Sequence, residues 1–400
     1  MKNLRYLALL SLFALVPPCR AADKFAEIPK SVQPFVDKGE ISGAVMMVAT
    51  KDRILHLSAV GVSDIATGRP MQTGDLFWIA SMSKPITALG VALLVDDGKL
   101  SFDDPVEKYL PEFKGQWVIQ ERTADRRVLV PAVRPIQIRD LLTHTSGLGE
   151  YVVTDPHWTL AEMSKVVARE PLRFQPGSRW AYSTAGLDVC GRVVEVVSGR
   201  PFAEFMRDRL FNPLGMTHTT FWPTPEQDKS RARSYIRNAT TRNLEETVIF
   251  YMYKGAITDP LRPALGGAGL FSTAEDVLKV YQMMLNHGVV DGRQLIKSQI
   301  LDEMTRNQIG SLTARPGMPW GYGFCVVADP TKMAANNTLS PGSFGHGGAF
   351  GTNSWADPTR GLIYIFMISR DKMQPPNPDN SPMRQAYQEA AEAALAAGPN

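Results

Sequence analysis

Strand patterns lie near both ends of this 400-residue chain, and helical patterns fill its middle. Runs of apolar and β-branched residues, which are typical of strands, occupy residues 43–50, 54–60, 322–328, 344–356 and 362–369. The first two runs are separated by Lys51-Asp52-Arg53, which predicts a hairpin. Because strands at both ends enclose a helical middle, we expect the two ends of the chain to build one α/β domain.

In a helical pattern, apolar residues recur every three or four positions, which places them on one face of a helix. Such patterns cover residues 83–97, 138–142, 160–168, 186–198, 202–211, 273–287, 297–304 and 383–396. Residues 103–113 and 225–265 are predicted to be irregular, and residues 128–135 to form part of a short hairpin arm. We therefore predict an α/β plus all-α protein. Its α/β domain comprises residues 22–100 and 266–400, and residues 101–265 form an inserted, mostly helical domain.

Residues 1–21 have the pattern of an export signal. Lys2 and Arg5 precede an apolar run of about a dozen residues, and Ala21 is a small residue suited to cleavage. The run is shorter than the roughly 20 apolar residues that span a bilayer. Cleavage and export predict a periplasmic or secreted protein, and the alternative is that the segment stays attached as an anchor.

The charge balance gives no support for a nucleic-acid partner. Loss of residues 1–21 removes three of the 43 basic residues and no acidic one, which leaves 40 basic residues against 40 acidic ones. A near-neutral chain offers no electrostatic capture of a phosphate backbone. No later apolar run approaches membrane-spanning length.

Two cysteines, Cys190 and Cys325, remain once the leader is removed. Each lies in an apolar stretch, so we predict two buried free thiols, although an oxidising compartment would also permit a disulfide between them. The histidines and cysteines show no metal-ligand spacing. We predict no metal ion and no other cofactor.

Ser81 and Lys84 form a Ser-x-x-Lys motif where an apolar segment meets a long predicted helix. The spacing places the lysine one turn from the serine on the same face, so the amine can reach the hydroxyl. A serine needs a base to become a nucleophile, and an amine can be that base when its surroundings lower its pKa. The alternative is a helix-capping serine beside a solvated charge. A second match, Ser369 with Lys372, ends a predicted strand, and we interpret it as accidental.

Two further segments carry residue types that suit acyl transfer. Tyr182 precedes a predicted helix, where a tyrosine can move a proton together with a lysine. The alternative is a half-buried aromatic side chain with a satisfied hydroxyl. Residues 345–349 have the sequence Gly-His-Gly-Gly-Ala, and small residues let a substrate approach backbone N–H groups, as an oxyanion hole requires. The alternative there is a bulge or tight bend in a sheet.

In order and separation, these motifs resemble those of the serine β-lactamase and penicillin-binding-protein superfamily, closest to its class C-like branch. Further matches lie at residues 141–148, 176–177, 212–216 and 267–273, and the likeness extends from about residue 26 to residue 396. The resemblance implies a β-lactamase/transpeptidase-like fold, in which helices flank an antiparallel sheet and a helical domain is inserted. The branch includes class C β-lactamases, D-Ala-D-Ala carboxypeptidases, D-aminopeptidases and carboxylesterases.

The resemblance also implies a role for each motif residue. Ser81 would be the acylated nucleophile, and Lys84 would accept its proton. Tyr182 would be the partner base that also activates water for deacylation. The backbone N–H groups of Ser81 and Ala349 would hold the oxyanion.

The substrate-binding positions implied by the resemblance are Thr184, His346, Gly347 and Gly348, and two of them depart from the family pattern. Thr184 stands where asparagine is usual, so an amide that would contact a substrate acyl-amide group is missing. His346 stands where β-lactamases and carboxypeptidases carry lysine, and a neutral imidazole supplies no permanent cation near pH 7. Both departures favour neutral esters over β-lactams and D-Ala-D-Ala peptides.

We therefore predict an exported serine hydrolase that cleaves small carboxylic esters through a Ser81 acyl-enzyme, with a small-molecule ester or amide as its partner. One alternative is a class C-like β-lactamase, D-Ala-D-Ala carboxypeptidase or D-aminopeptidase. The other is a non-catalytic binding module of the same fold. The chain has no Gly-x-Ser-x-Gly motif, which counts against an ordinary α/β-hydrolase. His144 and Trp355 lie close to family motifs, where each could line the pocket or pack structurally.

Overall fold

The structure is a computed structural model that describes residues 23–247, 256–333, 335, 337–371 and 381–397. The predicted leader, residues 1–21, lies outside the described residues. The helices are α1 (Glu27–Asp37), α2 (Ser83–Asp96), α3 (Ile138–Thr143), α4 (Leu160–Arg169), α5 (Thr184–Ser198), α6 (Phe202–Met206), α7 (Asn212–Leu214), α8 (Pro225–Lys229), α9 (Ala274–Leu285), α10 (Ser298–Met304) and α11 (Ser381–Ala396). The strands are β1 (Gly43–Thr50), β2 (Ile54–Asp64), β3 (Arg69–Pro70), β4 (Phe77–Trp78), β5 (Trp117–Arg122), β6 (Arg127–Pro131), β7 (Tyr235–Arg237), β8 (Leu244–Glu246), β9 (Phe271–Ser272), β10 (Val289–Val290), β11 (Arg293–Gln294), β12 (Cys325–Val326), β13 (Phe344–Gly347), β14 (Asn353–Asp357) and β15 (Leu362–Met367).

A seven-stranded antiparallel sheet joins the two ends of the chain, as the strand patterns predicted. Its strand order is β12-β13-β14-β15-β1-β2-β3. The first and last long strands are direct neighbours, with Val45 opposite Met367 and Val48 opposite Tyr364. The sheet therefore cannot be assembled from either end of the chain alone.

The two faces of this sheet contact different helices. Alternate residues of a strand point to opposite faces, and along β1 Val45 and Met47 belong to one hydrophobic core while Met46 and Val48 belong to the other. The second core also holds apolar side chains of α1 and α11. The first core continues through α9 and α2 into the helical middle of the chain. The observed fold is thus an antiparallel sheet flanked by helices, and the proposed domain boundaries stay a prediction.

Helix α2 lies at the centre of the first core. Every residue from Ser83 to Leu94 is buried, which is typical of a helix that is covered on all sides. Gly90 lets α6 approach closely, because a Cβ there would lie 2.5 Å from the sulfur of Met206. This packing fixes the start of α2 relative to the sheet and to the helical region.

Several elements differ from the sequence predictions. The predicted strand 344–356 is two strands, β13 and β14, joined by a turn in which Gly351 has a φ of 94°. The predicted strand 322–328 is limited to β12, because Gly323 has a φ of 78° that interrupts extended backbone. Helix α1 was not anticipated. The predicted helix 202–211 widens after α6 into a π turn, Arg207–Phe211, and the predicted irregular segment 225–265 contains α8, β7 and β8.

Within the described residues, no helix has the length and apolar character needed to cross a membrane. Cys190 and Cys325 are both buried and are not joined in a disulfide, which confirms the prediction of two buried thiols.

Candidate active site

Ser81 lies at a sharp junction between strand β4 and helix α2. The N–H of Ile79 donates a hydrogen bond to the Leu270 carbonyl (3.1 Å), and a 3-10 turn, Ala80–Met82, follows. Ala80 has a φ of 46°, a left-handed conformation that costs energy for a residue with a side chain. Ser81 is partly exposed although the residues on either side of it are buried. The strained turn thus presents the serine hydroxyl towards solvent.

Lys84 places its amine beside that hydroxyl. Its Nζ lies 3.1 Å from Ser81 Oγ, 2.7 Å from the carbonyl oxygen of Gly267 and 3.5 Å from Thr184 Oγ1. The Lys84 residue is fully buried. No carboxylate lies within ion-pair distance of the amine in the part of the chain that the structure describes. The spacing argument from the sequence is confirmed, since the two side chains meet one helical turn apart.

Tyr182 and Thr184 approach the same amine from the start of α5. Ser183 caps this helix by accepting a hydrogen bond from the Gly186 N–H (3.3 Å), and this cap fixes the side chains on either side of it. The Tyr182 ring centroid lies 4.8 Å from Lys84 Nζ. Among the described residues, no hydrogen bond joins the Tyr182 hydroxyl to Ser81 or Lys84. The structure brings the tyrosine ring to the site, and its predicted role in proton transfer stays a prediction.

The glycine-rich turn after β13 lies against the backbone that precedes Ser81. Gly348 donates its N–H to the Thr352 carbonyl (2.7 Å), and Thr352 Oγ1 donates to the Ile79 carbonyl (3.3 Å). A Cβ at position 348 would lie 2.7 Å from that Ile79 oxygen, so only glycine fits there. Ala349 is partly exposed, and within the described residues its N–H donates no hydrogen bond. That N–H is free to serve a substrate.

Aromatic side chains surround the tyrosine. The His144 ring packs against the Tyr182 ring at a tilt of 36°, with 4.4 Å between the centroids, and it meets Trp320 edge-on at 4.9 Å. Its Nδ1 accepts a hydrogen bond from the Ser183 N–H (3.2 Å). Burial, with the nearby charge of Lys84, holds the pKa of His144 well below its usual value. His144 is therefore a neutral packing residue behind the tyrosine.

His346 and Trp355 occupy β13 and β14. His346 is 3% exposed, its ring centroid lies 6.2 Å from that of Tyr182, and its Nδ1 lies 2.7 Å from the carbonyl oxygen of Gly347. Trp355 is buried in the second core, where Gly345 approaches it so closely that a Cβ would lie 2.6 Å from the indole ring. The histidine thus faces the tyrosine, and the tryptophan packs structurally.

Sequence reasoning missed three residues near the site. Trp320 packs its indole against His144 and Tyr182, and the guanidinium of Arg315 lies 5.9 Å from the Tyr182 ring centroid. Both residues belong to an irregular segment without periodicity. The third, Asp188, is a buried carboxyl on α5 that accepts the N–H of Gly267 (2.8 Å). The signal for it was an acidic residue near the start of a predicted helix, with the apolar residues Leu187 and Val189 on either side of it.

A serine hydroxyl in contact with a buried lysine amine, set on an antiparallel sheet between helices, is the arrangement of a serine hydrolase with a β-lactamase/transpeptidase-like fold. The sequence agrees with that class over most of its length. The chain belongs to the Beta-lactamase family, whose family model matches residues 28–388.

The relatives of this chain include esterases. It is 32% identical to esterase EstB from Burkholderia gladioli over 355 residues, which cover 82% of this chain and 86% of the relative. It is also 32% identical to a lovastatin esterase from Penicillium rubens, and the match covers 75% of this chain and 79% of the relative. One similar solved structure is EstCE1, which is described as a hydrolase with promiscuous acyltransferase activity. It superposes on this protein with a TM-score of 0.75 and 25% sequence identity, and the match covers 92% of this chain and 99% of the EstCE1 chain.

Proposed function

We propose that this protein is an exported esterase that hydrolyses small carboxylic esters through an acyl-enzyme on Ser81. The observation that carries the proposal is the 3.1 Å contact between Ser81 Oγ and the buried amine of Lys84. The similarity of this chain to two enzymes described as esterases supports ester hydrolysis as the reaction. Export is supported by the leader pattern of residues 1–21 alone.

The contacts of Lys84 suit a proton acceptor. A neutral amine has two N–H bonds and one lone pair, and two acceptors, the Gly267 carbonyl and Thr184 Oγ1, lie within 2.7 and 3.5 Å of Nζ. With both N–H bonds directed to these oxygens, the lone pair is left for the Ser81 hydroxyl. The amine then takes the hydroxyl proton while Ser81 Oγ bonds to the ester carbonyl carbon.

The remaining steps follow from the surrounding groups. The carbonyl oxygen of the tetrahedral intermediate takes up the negative charge, and the N–H groups of Ser81 and Ala349 are the proposed donors to it. Collapse of this intermediate breaks the bond to the alcohol, which leaves with the proton from Lys84. Water then attacks the acyl-enzyme, with Tyr182 as the proposed base, and releases the acid and free Ser81.

Two substrate-binding positions favour neutral substrates. His346 stands where β-lactamases and carboxypeptidases carry lysine, and it lies at the edge of an aromatic cluster. The Thr184 hydroxyl oxygen accepts a hydrogen bond from the Lys84 amine. Neither side chain supplies the permanent cation or the side-chain amide that a β-lactam or a peptide carboxylate would use, so we expect neutral esters to be the better substrates.

The test compares Ser81→Ala with the wild type on p-nitrophenyl butyrate. Loss of the nucleophile is expected to lower kcat by about 1,000-fold or more. Ser369→Ala is the matched control, because Ser369 begins the second Ser-x-x-Lys match and its hydroxyl is bonded instead to Ser234 (2.9 Å). Mass spectrometry of the quenched wild type should find the butyryl group on the peptide that contains Ser81.

Full activity in Ser81→Ala would refute the proposed nucleophile. Turnover of nitrocefin faster than that of the ester would instead assign the protein to the β-lactamases. Absence of labelling by a serine-directed fluorophosphonate would favour the non-catalytic binding module.

A further inference from the structure

A buried carboxyl, Asp188, lies directly behind Lys84 and has no part in the steps above. The residue is 4% exposed and belongs to the second turn of α5. One carboxylate oxygen accepts the Gly267 N–H (2.8 Å), and the other accepts the hydroxyl of Tyr151 (2.9 Å). Burial of a carboxyl is unfavourable unless such hydrogen-bond partners compensate it.

A single residue, Gly267, connects this carboxyl to the amine. Its N–H donates a hydrogen bond to Asp188, and its carbonyl oxygen accepts one from Lys84 Nζ (2.7 Å). A Cβ at position 267 would lie 2.5 Å from Thr184 Cγ2 and 2.7 Å from the Thr184 carbonyl oxygen. Gly267 is thus held tightly against the first turn of α5, and the direction of its carbonyl depends on the group that holds its N–H.

We propose that Asp188 is a positioning residue for the reaction at Ser81: it fixes the Gly267 carbonyl that orients the Lys84 amine, and its charge adjusts whether that amine carries an extra proton. The inference rests on the proposed function, since it concerns the same serine and lysine.

The charge of Asp188 changes in the pH range where such an enzyme works. Burial raises the pKa of Asp188 to about 7, while the hydrogen bonds from Gly267 and Tyr151 and the charge of Lys84 act in the opposite direction. Two other titratable groups face it: the carboxylate of Glu150, which raises its pKa, and the buried Cys190 on the same helix.

The expected effect on activity has a definite sign. An ionised Asp188 attracts the ammonium form of Lys84, and that form cannot accept the Ser81 proton. Replacing the carboxyl by a neutral amide removes this attraction, so the amine becomes an available base at lower pH. The acid limb of the pH profile of kcat/KM should therefore move to lower pH, by about one pH unit.

The experiment uses three variants of the full-length mature protein. Asp188→Asn keeps the shape and an acceptor for Gly267 but removes the charge. Asp188→Leu also removes the acceptor, and Asp52→Asn changes a charge on an exposed turn far from the site. The pH dependence of kcat/KM for p-nitrophenyl butyrate is measured for each, with p-nitrophenol followed at its isosbestic wavelength.

Asp188→Asn should lower the acid limb by about one pH unit and keep the plateau within about threefold of the wild type. Asp188→Leu should lower the plateau by about tenfold or more, since a displaced base transfers protons poorly, and Asp52→Asn should follow the wild type. Acid limbs that coincide in Asp188→Asn and the wild type would overturn the proposal, as would a wild-type plateau in Asp188→Leu.

A second measurement separates this inference from the proposed function. The rate at which a fluorophosphonate modifies Ser81 depends on the same base, whether or not esters are substrates. If the protein hydrolyses no ester, the pH dependence of this labelling rate in the wild type and Asp188→Asn gives the same test. If Asp188→Leu does not fold, as judged by circular dichroism, the isosteric Asn variant decides the outcome.

Discussion

Replacing Asp188 by asparagine should change how the stability of this protein depends on pH. The pKa of this carboxyl is 3.8 in its ordinary state and about 7 in the folded protein. Because the folded-state pKa is raised, the folded protein holds the proton more tightly than the unfolded chain does. The contribution of Asp188 to stability is then fully present below about pH 4 and is lost as the pH rises through 7. At 1.36 kcal/mol for each pH unit, the loss amounts to about 4 kcal/mol.

Urea unfolding followed by tryptophan fluorescence, at steps from pH 4.5 to 8, measures this loss. The difference in unfolding free energy between Asp188→Asn and the wild type cancels the contributions of all other titrating groups. It should rise in favour of the asparagine variant by roughly 3 kcal/mol across that range. Asp52→Asn, on an exposed turn, is the control and should run parallel to the wild type. A constant difference for Asp188→Asn would refute the argument that this carboxyl is forced to carry a proton by burial.

Other predictions concern the turn beside the nucleophile, the thiols and the last helix. Gly348→Ala should lower kcat/KM by about 100-fold. The added Cβ would lie 2.7 Å from the Ile79 carbonyl oxygen and would displace the glycine-rich turn from Ser81. Unchanged kinetics would contradict this packing. Cys190 and Cys325 should not react with Ellman's reagent in the folded mature protein and should both react in guanidinium chloride, since both are buried thiols outside a disulfide. Glu392→Gln should lower the free energy of unfolding by about 2 kcal/mol. The Glu392 carboxylate on α11 accepts hydrogen bonds from Tyr364 of β15 and from Arg360 in the β14–β15 turn. An unchanged urea midpoint would show that these hydrogen bonds add nothing to stability.

The parts of the fold that sequence predicted correctly are those set by local patterns. Apolar periodicity located α2 and the hairpin of β1 and β2, and a three-residue spacing on a helix was enough to place Lys84 beside Ser81. Both results depend on geometry within one element or between adjacent elements. The strand patterns at the two ends of the chain also predicted one α/β domain, and the resemblance of the motifs to a known family supplied the β-lactamase/transpeptidase-like fold.

The parts that were missed depend on contacts between distant residues. Asp188 and Gly267 are 79 positions apart, and no periodicity reports that one holds the backbone of the other. Strand 344–356 was predicted as continuous because the residues of its turn, 348–352, include apolar side chains that extended strands also carry. The π turn after α6 and the packing of Trp320 likewise depend on neighbours that the local sequence does not contain.

The pairing of β1 with β15 has a consequence for how the protein folds. More than 300 residues lie between Thr50, which ends β1, and Leu362, which begins β15. Until β15 is in place, the side of β1 that does not face β2 has unpaired N–H and C=O groups, and the long separation makes closure of the sheet slow. We therefore expect completion of the sheet to be a late step in folding.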